Sequence, residues 1–211
     1  MSSSLQKSLI LKKKNLPIWF MRQAGRYLPE YQVIRKKNKN FINFCLNIKD
    51  ATKVSLQPIE RYNLDAAIVF SDILLILKAI GQNIKFKENI GPILENYKPE
   101  LFYNLSNEDF IKKLKNVYKI IKNIRKKLPK EKSLIGFAGA PWTLLVYMIN
   151  KSSPKGNRKL LVNLKKDEIL KILKRLENLV YIHCKEQILA GADVIQLFDQ
   201  HFHRFVAVAV L

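Results

Sequence analysis

Short runs of almost exclusively apolar residues alternate along this chain with longer stretches of helical periodicity, and this alternation constrains the fold more than any other feature. Four such runs occupy residues 17–21 (PIWFM), 66–70 (AAIVF), 134–138 (LIGFA) and 192–198 (ADVIQLF). Each has the length of one strand, and a strand without polar alternation is typical of a sheet buried on both faces. The pattern therefore predicts four parallel strands, near positions 19, 68, 136 and 196, joined by helices in an α/β fold.

Between these runs, apolar residues recur every three or four positions, which is the spacing of one helical face. This spacing predicts helices over residues 50–62 and 110–128, and from residue 167 to near Gly191. We expect Pro58 to kink the first helix because it has no backbone N–H group. Ser106 begins a capping box with Asp109 in the Glu/Gln position, and Gly191 is suited to end the last helix.

The charge of the chain is strongly positive, at +21 from 38 basic and 17 acidic residues. Such basicity raises nucleic acid as a partner. The basic residues are 30 Lys and only 8 Arg, however, and bidentate phosphate recognition favours Arg. We therefore interpret most of the charge as a solvated, lysine-rich surface.

Membrane insertion and secretion are not expected, because no apolar run approaches a bilayer span and residues 9–11 are too few for a secretory signal. Cys45 and Cys184 have neither paired nor metal-ligand spacing, which favours a reducing cytoplasm. His183 has the position of a packed or surface histidine. His201 and His203 have no carboxylate or cysteine partner, so we expect no metal site.

Candidate reactive groups follow the predicted strands, since active sites of parallel β/α folds lie where strands end. Arg22 and Arg26 follow the first run, Asp72 the second, residues 139–142 (GAPW) the third and Asp199 the fourth. Two Arg four residues apart suit a carboxylate or phosphate, although a solvated turn is the simpler interpretation of that spacing. Asp72 is likewise compatible with a helix N-cap. Spacing alone thus indicates an anion-receiving mouth and names no reaction.

Four longer strings are more specific than these spacings. They are PIWFMRQAGRYLPEY (17–31), LQPIERYNLDAAIVFSDIL (56–74), IGFAGAPWTLLVYM (135–148) and GADVIQLFD (191–199). In this order they resemble the landmark strings of the uroporphyrinogen decarboxylase family, over residues 16–199. The resemblance implies a TIM (β/α)8 barrel, of which this chain holds about the first four β/α units.

The resemblance also implies an activity and a set of roles. Members of this family are cytoplasmic homodimers that convert uroporphyrinogen III to coproporphyrinogen III, removing four acetate carboxyls without cofactor or metal. At matching positions, Arg22 and Asp72 are the candidate catalytic residues. The candidate substrate-binding residues are Arg22, Gln23, Ala24, Gly25, Arg26, Asp72 and Tyr147, with Arg35 a weaker candidate at the cleft rim.

The resemblance ends at the last string. Residues 1–15 form an N-terminal lead, and residues 200–211 match nothing in the family, so they are interpreted as an aberrant tail. Because four strands cannot close a barrel, the outermost strands are expected to present unpaired edges, and alternating Val206, Val208 and Val210 are suited to an edge strand. Two alternatives to the active decarboxylase stay open, namely an inactive truncated remnant and, less favoured, a basic RNA-binding domain.

Overall fold

The computed structural model describes residues 5, 8, 17–25, 27–87, 90–152, 164–199 and 208–209. The helices are α1 Pro29–Lys37, α2 Phe41–Leu46, α3 Ile48–Arg61, α4 Leu75–Ala79, α5 Pro99–Asn104, α6 Asn107–Lys127, α7 Pro141–Asn150 and α8 Lys166–Leu189. The strands are β1 Ala66–Ile68, β2 Ile84–Lys87, β3 Gly91–Leu94, β4 Ser133–Gly139, β5 Val194–Phe198 and β6 Val208–Ala209.

The main sheet has the strand order β1-β4-β5-β6. β1 pairs with β4 and β4 with β5, both in parallel, so three of the four predicted parallel strands are confirmed. β6 then adds to β5 in the antiparallel direction, with Ala209 opposite Ile195. An edge strand from the valine-rich tail is therefore present at residues 208–209, whereas Val206 and Val210 lie outside the described residues.

The prediction of a strand at residues 17–21 is wrong. The segment meets the sheet at one point, where the Ile18 carbonyl accepts a hydrogen bond from the Asp65 N–H (2.9 Å) and the Ile18 N–H donates to Asp65 Oδ2 (2.7 Å). It then leaves the sheet through a turn at residues 21–22. No described strand lies on its far side, so an extended conformation there would gain hydrogen bonds along only one edge.

A two-stranded hairpin was not predicted from the sequence. β2 and β3 pair antiparallel, and Gly91 begins β3 with φ of +96°. That backbone conformation favours glycine. The signal was weak because Lys85 and Lys87 interrupt the apolar pattern of β2 on its exposed side.

The predicted long helices are confirmed, together with their ends. The Asp109 N–H donates to Ser106 Oγ (3.0 Å) at the start of α6, and Ser106 Oγ donates to Asp109 Oδ2 (2.9 Å). Gly191 follows α8 with φ of +110°, and the Ala192 N–H donates back to the Gln187 carbonyl (3.0 Å). This is the glycine-terminated C-cap that the sequence predicted. α3 continues through Pro58 to Arg61, and the kink expected there stays a prediction.

The sheet separates a large core from a small one. Alternate strand residues point to opposite faces, so Ala67, Val69 and Leu134 join the large core beneath the helices. Ile68 and Ile135 belong to the small cluster on the other face. In that cluster Leu5 is 7% exposed, and its N–H donates to Ser133 Oγ (3.0 Å). The N-terminal lead thus contributes to the core through Leu5.

Arg125 connects the end of α6 to the beginnings of β4 and β5. Its Nη1 donates to Asp193 Oδ2 (2.8 Å), and its Nη2 donates to the carbonyls of Leu128 (3.0 Å) and Pro129 (2.8 Å). Asp193 Oδ2 also accepts the Leu134 N–H (2.7 Å). Because both side chains of the ion pair are partly buried, the pair holds the beginnings of β4 and β5 in place.

His183 lies on α8 and packs against α6. The sequence predicted a packed or surface histidine, and the structure shows a packed one. It is 4% exposed, and its Nδ1 is 3.1 Å from the hydroxyl of Tyr118. Burial lowers the pKa of His183 to about 4 and raises the pKa of Tyr118. The imidazole is therefore neutral in the folded protein at neutral pH.

This burial predicts a pH-dependent loss of stability. The ordinary histidine pKa of about 6.5 applies to the unfolded chain, which therefore binds more protons than the folded chain between about pH 6.5 and pH 4. The contribution of His183 is intact above pH 6.5 and declines by about 3 kcal/mol as the pH falls to 4. We expect urea unfolding at several pH values to show this loss in the wild type relative to His183→Gln. Parallel stability curves for the two proteins would contradict the burial of a neutral imidazole.

Candidate active site

Asp72 lies where the polypeptide leaves β1 and is partly buried ahead of α4. Its Oδ1 accepts the backbone N–H of Leu74 (2.8 Å), and its carbonyl accepts the N–H of Leu75 (3.2 Å). This i to i+2 bond with Leu74 is an Asx-turn ahead of the helix. Asp72 is not the N-cap left open as an alternative, because Leu74 occupies that position and makes no side-chain capping bond. The second carboxylate oxygen of Asp72, Oδ2, accepts no hydrogen bond from any residue that the structure describes.

The environment of Asp72 perturbs its ionisation. Burial raises the pKa of Asp72 to about 6, while the hydrogen bond from Leu74 and the positive charge of Arg22 act in the opposite direction. At neutral pH the carboxylate is mostly ionised in a poorly solvated position. Such a group is poised to stabilise positive charge on a bound molecule, because few waters compete for it.

An aromatic cluster forms the wall behind this position. Phe70, which precedes Asp72 by two residues, has its ring centroid 4.6 Å from that of Phe44 and 5.9 Å from those of Tyr31 and Phe41. These rings come from α1, α2 and the end of β1. Tyr31, Phe44 and Phe70 belong to the large buried core, and Phe41 packs against it. The sequence contained the aromatic residues but gave no indication that three elements bring them together.

Arg22 and the residues after it form a turn that the side chain of Gln23 holds against the sheet. Arg22 is exposed, and Gln23 is 2% exposed. Gln23 Oε1 accepts the Phe20 N–H (3.0 Å), and its Nε2 donates to the Ala66 carbonyl on β1 (3.1 Å). Gln23 therefore anchors the arginine-bearing turn to the sheet. Its prediction as a substrate-binding residue did not indicate this structural role.

The neighbouring predicted residues are only partly accounted for. Ala24 is partly buried against the large core. Gly25 is buried, and a Cβ there would come within 2.1 Å of the Tyr27 ring, so the turn accommodates glycine because that ring passes close to the backbone. Arg26 lies outside the described residues.

Tyr147 and Arg35 occupy different settings. Tyr147 lies in the second turn of α7 and is 6% exposed. Arg35, on α1, donates to the carbonyls of Asn38 and Lys39, with its guanidinium carbon 6.0 Å from the centre of the Phe41 ring. Arg35 is thus engaged in ending its own helix. Burial raises the pKa of the nearby Cys45 thiol well above its usual value, the charge of Asp72 raises it further, and the charge of Arg35 lowers it.

The sequence analysis did not predict a hydrogen bond between α7 and the residue that follows β5. Thr143, which is fully buried, donates from Oγ1 to Asp199 Oδ1 (2.9 Å). The Ala140 N–H donates to the carbonyl of Phe198 (2.9 Å) beside it. Asp199 was recognised as a residue at a strand end, but a threonine within an apolar helix gave no sign of its partner. The two bonds place the start of the helix that carries Tyr147.

An open cavity of about 290 Å³ lies on the other side of β1, where the strand begins. It is lined by Phe20, Gln23, Tyr27, Pro58, Tyr62, Asn63 and Leu64. Of the described residues predicted to bind substrate, Gln23 alone belongs to this lining, and neither Asp72 nor Arg22 does. The volume falls at the lower limit of small-molecule pockets. Because Asp72 carries the electrostatic perturbation, we place the candidate site at the carboxyl ends of the strands and not in this cavity.

A comparison with models of protein families identifies the family to which this chain belongs. The model of the family uroporphyrinogen decarboxylase (URO-D) matches residues 12–206. The chain belongs to the uroporphyrinogen decarboxylase family. The matched residues include all four strings and the site residues at Arg22 and Asp72.

Individual relatives agree with this assignment. The chain is 47% identical over 189 residues to the uroporphyrinogen decarboxylase of Rickettsia canadensis (strain McKiel), covering 87% of this chain and 55% of the relative. The enzyme of Rickettsia felis is 47% identical, with 87% and 54% covered, and that of Rickettsia bellii 45%, with the same coverage. The chain therefore spans about half the length of the curated relatives it matches.

A solved structure supports the fold. A methyltransferase from Methanosarcina mazei matches with a TM-score of 0.61 and 20% sequence identity, over 78% of this chain and 50% of that one. At this identity the likeness shows the fold alone. Among the described helices, none combines the length and apolar character needed to span a bilayer.

The raised pKa of Asp72 predicts that the carboxylate destabilises the protein. Since the unfolded carboxyl has the lower pKa, near 3.8, the folded chain binds more protons between about pH 3.8 and pH 6 and loses stability as the pH rises through that range. Asp72→Asn keeps an acceptor for Leu74 and cannot ionise. It should be more stable than the wild type by about 2 kcal/mol at pH 8, after allowance for the partial exposure of Asp72, and equally stable at pH 3.5.

Urea unfolding of both proteins at these two pH values measures the difference. Glu100→Gln, which removes a carboxylate at an exposed position, provides the matched control. An Asp72→Asn variant less stable than the wild type at pH 8 would mean that the carboxylate is well solvated.

Proposed function

We propose that this chain supplies the substrate-binding and cation-stabilising part of a uroporphyrinogen decarboxylase. The reaction removes the four acetate carboxyls of uroporphyrinogen III as CO2 and yields coproporphyrinogen III, a step of haem and tetrapyrrole synthesis. Family membership and relatives bearing that name support the proposal. The observation that carries it is Asp72, a desolvated carboxylate at a strand end with the charge of Arg22 nearby.

Arginine side chains are proposed to hold the substrate by its periphery. The macrocycle has eight carboxylates, and guanidinium groups bind carboxylates through two parallel hydrogen bonds. Arg22 is exposed on a turn anchored by Gln23, so its side chain is free to meet such a group while its backbone stays fixed. Arg26 is proposed to bind a second carboxylate. Gln23, Ala24 and Gly25 form the adjoining wall.

Asp72 is proposed to bind the centre of the macrocycle. The four pyrrole N–H groups point inward, and an ionised carboxylate accepts several converging hydrogen bonds. The Oδ2 of Asp72 supports this role, because the Leu74 N–H binds Oδ1 and no described residue donates to Oδ2. The remaining assignments are that Tyr147 lies beside the reacting acetate and that Arg35 contributes more weakly at the rim.

The chemistry follows from the pyrrole itself. A proton added to the ring carbon next to the one that bears the acetate makes the ring cationic and places positive charge on the acetate-bearing carbon. As the bond to the carboxyl carbon breaks, its electron pair moves into that cation and CO2 departs. Protonation of the resulting exocyclic carbon, with loss of the ring proton, gives the methyl group. The substrate's own ring is the electron sink, so this route requires no cofactor.

Asp72 would act by stabilising the cationic ring electrostatically. A preorganised charge in a dry site contributes on the order of 3 kcal/mol to a transition state, by analogy with one oxyanion-hole donor. Arg22 is the candidate proton donor, yet an arginine pKa above about 12 opposes proton release. Clamping a carboxylate is therefore the role we assign to Arg22 first.

The proposal also covers the compartment and the oligomeric state of the protein. We propose a cytoplasmic protein that acts as a homodimer, as in the family. Cys45 and Cys184 are both free thiols and lie in the buried or partly buried parts of the fold, which suits a reducing compartment.

Decarboxylation by this chain is the direct test. We expect no turnover of uroporphyrinogen III by the chain alone under anaerobic conditions, and turnover once it is mixed with the part of the Rickettsia canadensis enzyme that it does not match. In that mixture Asp72→Asn should lower the rate by about 100-fold, because one stabilising charge is lost. Arg22→Ala should lower it by about 10-fold or more through a weaker clamp. Product is measured as coproporphyrin after oxidation.

Lys122→Ala, on the exposed face of α6, removes one positive charge far from the strand ends and should leave the rate unchanged. Absence of product in both conditions would favour the inactive remnant instead. Salt-sensitive RNA binding that is indifferent to Arg22→Ala and Asp72→Asn would favour the basic RNA-binding alternative.

A further inference from the structure

The pairing between β1 and β4 stops before the carboxyl end of β4. Odd-numbered residues of β4 direct their backbone groups towards β1. The Ser133 N–H donates to the Asp65 carbonyl (3.0 Å). Two residues later, the Ile135 carbonyl accepts the N–H of Val69 (3.0 Å). Phe137 is the next residue in this series, and no described strand pairs with it on that side, so its backbone N–H and carbonyl need other partners.

The side chain of Gln187, on α8, binds both of these backbone groups. Its Oε1 accepts the Phe137 N–H (3.0 Å), and its Nε2 donates to the Phe137 carbonyl (2.9 Å). Gln187 is fully buried, and Gly136 makes room for its amide, since a Cβ at that position would come within 2.6 Å of Oε1. The amide offers the same acceptor and donor as a strand, so it takes the place of the next pair of hydrogen bonds between β1 and β4.

Ser55, on α3, binds the backbone at the end of β1. The Phe70 N–H donates to Ser55 Oγ (2.8 Å), and the hydroxyl donates in turn to the Ala51 carbonyl of its own helix (2.7 Å). Ser55 is 1% exposed. Because a buried N–H without an acceptor is unfavourable, this bond holds the backbone of Phe70 against α3.

Both contacts bear on the course of residues 69–72. After Phe70 the chain passes close to the end of β4, where a Cβ at Gly139 would lie 3.2 Å from that of Ile73. The Leu74 N–H then binds Asp72 Oδ1. The backbone on either side of Asp72 is thus held, and two helices that are far apart in the sequence supply the side chains that direct it away from β4.

We propose that Ser55 and Gln187 are positioning residues of the candidate site. They bind the backbone groups at the point where β1 and β4 part, and they thereby fix residues 69–72 and keep the Asp72 carboxylate poorly solvated. This inference rests on the proposed function, since it concerns how the residue that stabilises the cationic ring is placed. Neither side chain touches the substrate in this role.

The test follows the ionisation of Asp72 in the full chain without substrate. With carbon-13 in the side-chain carboxyl of aspartate, the resonance missing from Asp72→Asn identifies Asp72, and its shift is recorded between about pH 4 and pH 8. In the wild type the midpoint should lie near the pKa of about 6 that burial produces. Ser55→Ala and Gln187→Leu should each lower it by about one pH unit, because a loosened backbone lets water reach the carboxylate. Arg22 and the Cys45 thiol, which also interact with the Asp72 charge, are unchanged in these variants.

Matched variants separate positioning from a general loss of packing. Ser55→Thr keeps the hydroxyl and should keep the wild-type midpoint. Thr52→Val removes another buried hydroxyl of α3, one that donates to the Ile48 carbonyl of its own helix (2.6 Å). It should also titrate as the wild type does.

The possible results separate positioning from catalysis. Midpoints lowered in Ser55→Ala and Gln187→Leu but not in Thr52→Val support the inference even when no decarboxylation is found, in which case only the proposed function fails. A wild-type midpoint in either variant overturns the inference for that residue, and an equal fall in Thr52→Val overturns it for both. If circular dichroism shows that Ser55→Ala is unfolded, Ser55→Cys, whose sulfur is a weak acceptor, replaces it.

Discussion

The burial of a parallel sheet on its helix-covered face is the constraint on which the rest of this structure depends. β4 lies at the centre, between β1 and β5, and its residues Leu134 and Ile135 are inaccessible to solvent. Because β1, β4 and β5 pair in parallel, their carboxyl ends lie at one edge of the sheet, which brings Asp72 and Asp199 to the same side. The Arg125–Asp193 ion pair fixes the opposite, entering ends of β4 and β5.

Burial also gives the candidate site its chemistry. Burial of Asp72 at the end of β1 raises the pKa of its carboxyl to about 6. The same desolvation makes the ionised carboxylate a strong partner for a cationic ring and an unfavourable feature of the empty protein. In the role proposed for Asp72, stability and function therefore conflict, as is common where a charge is preorganised for a transition state.

The incomplete sheet accounts for the unusual surface of the chain. In the described residues the inner face of the strands is covered by Leu5 and Trp19, while the side of β1 keeps its exposed rings and an unpaired strand edge. β6 meanwhile pairs along part of β5. The two edges of the described sheet consequently differ: β6 covers part of the edge at β5, and exposed rings lie beside the edge at β1.

The sequence by itself determined the parallel α/β class, three strands, the long helices with their caps at Ser106 and Gly191, and the family, because periodicity, capping residues and long strings are local properties. Asp72 was identifiable for the same reason. Only the tertiary structure decided the course of residues 17–21, since an apolar run forms a strand only where neighbours supply hydrogen bonds. It also decided the buried contacts of Gln23, the Thr143–Asp199 bond and the aromatic wall behind Asp72. Those features join residues far apart in the chain, so no local pattern could specify them.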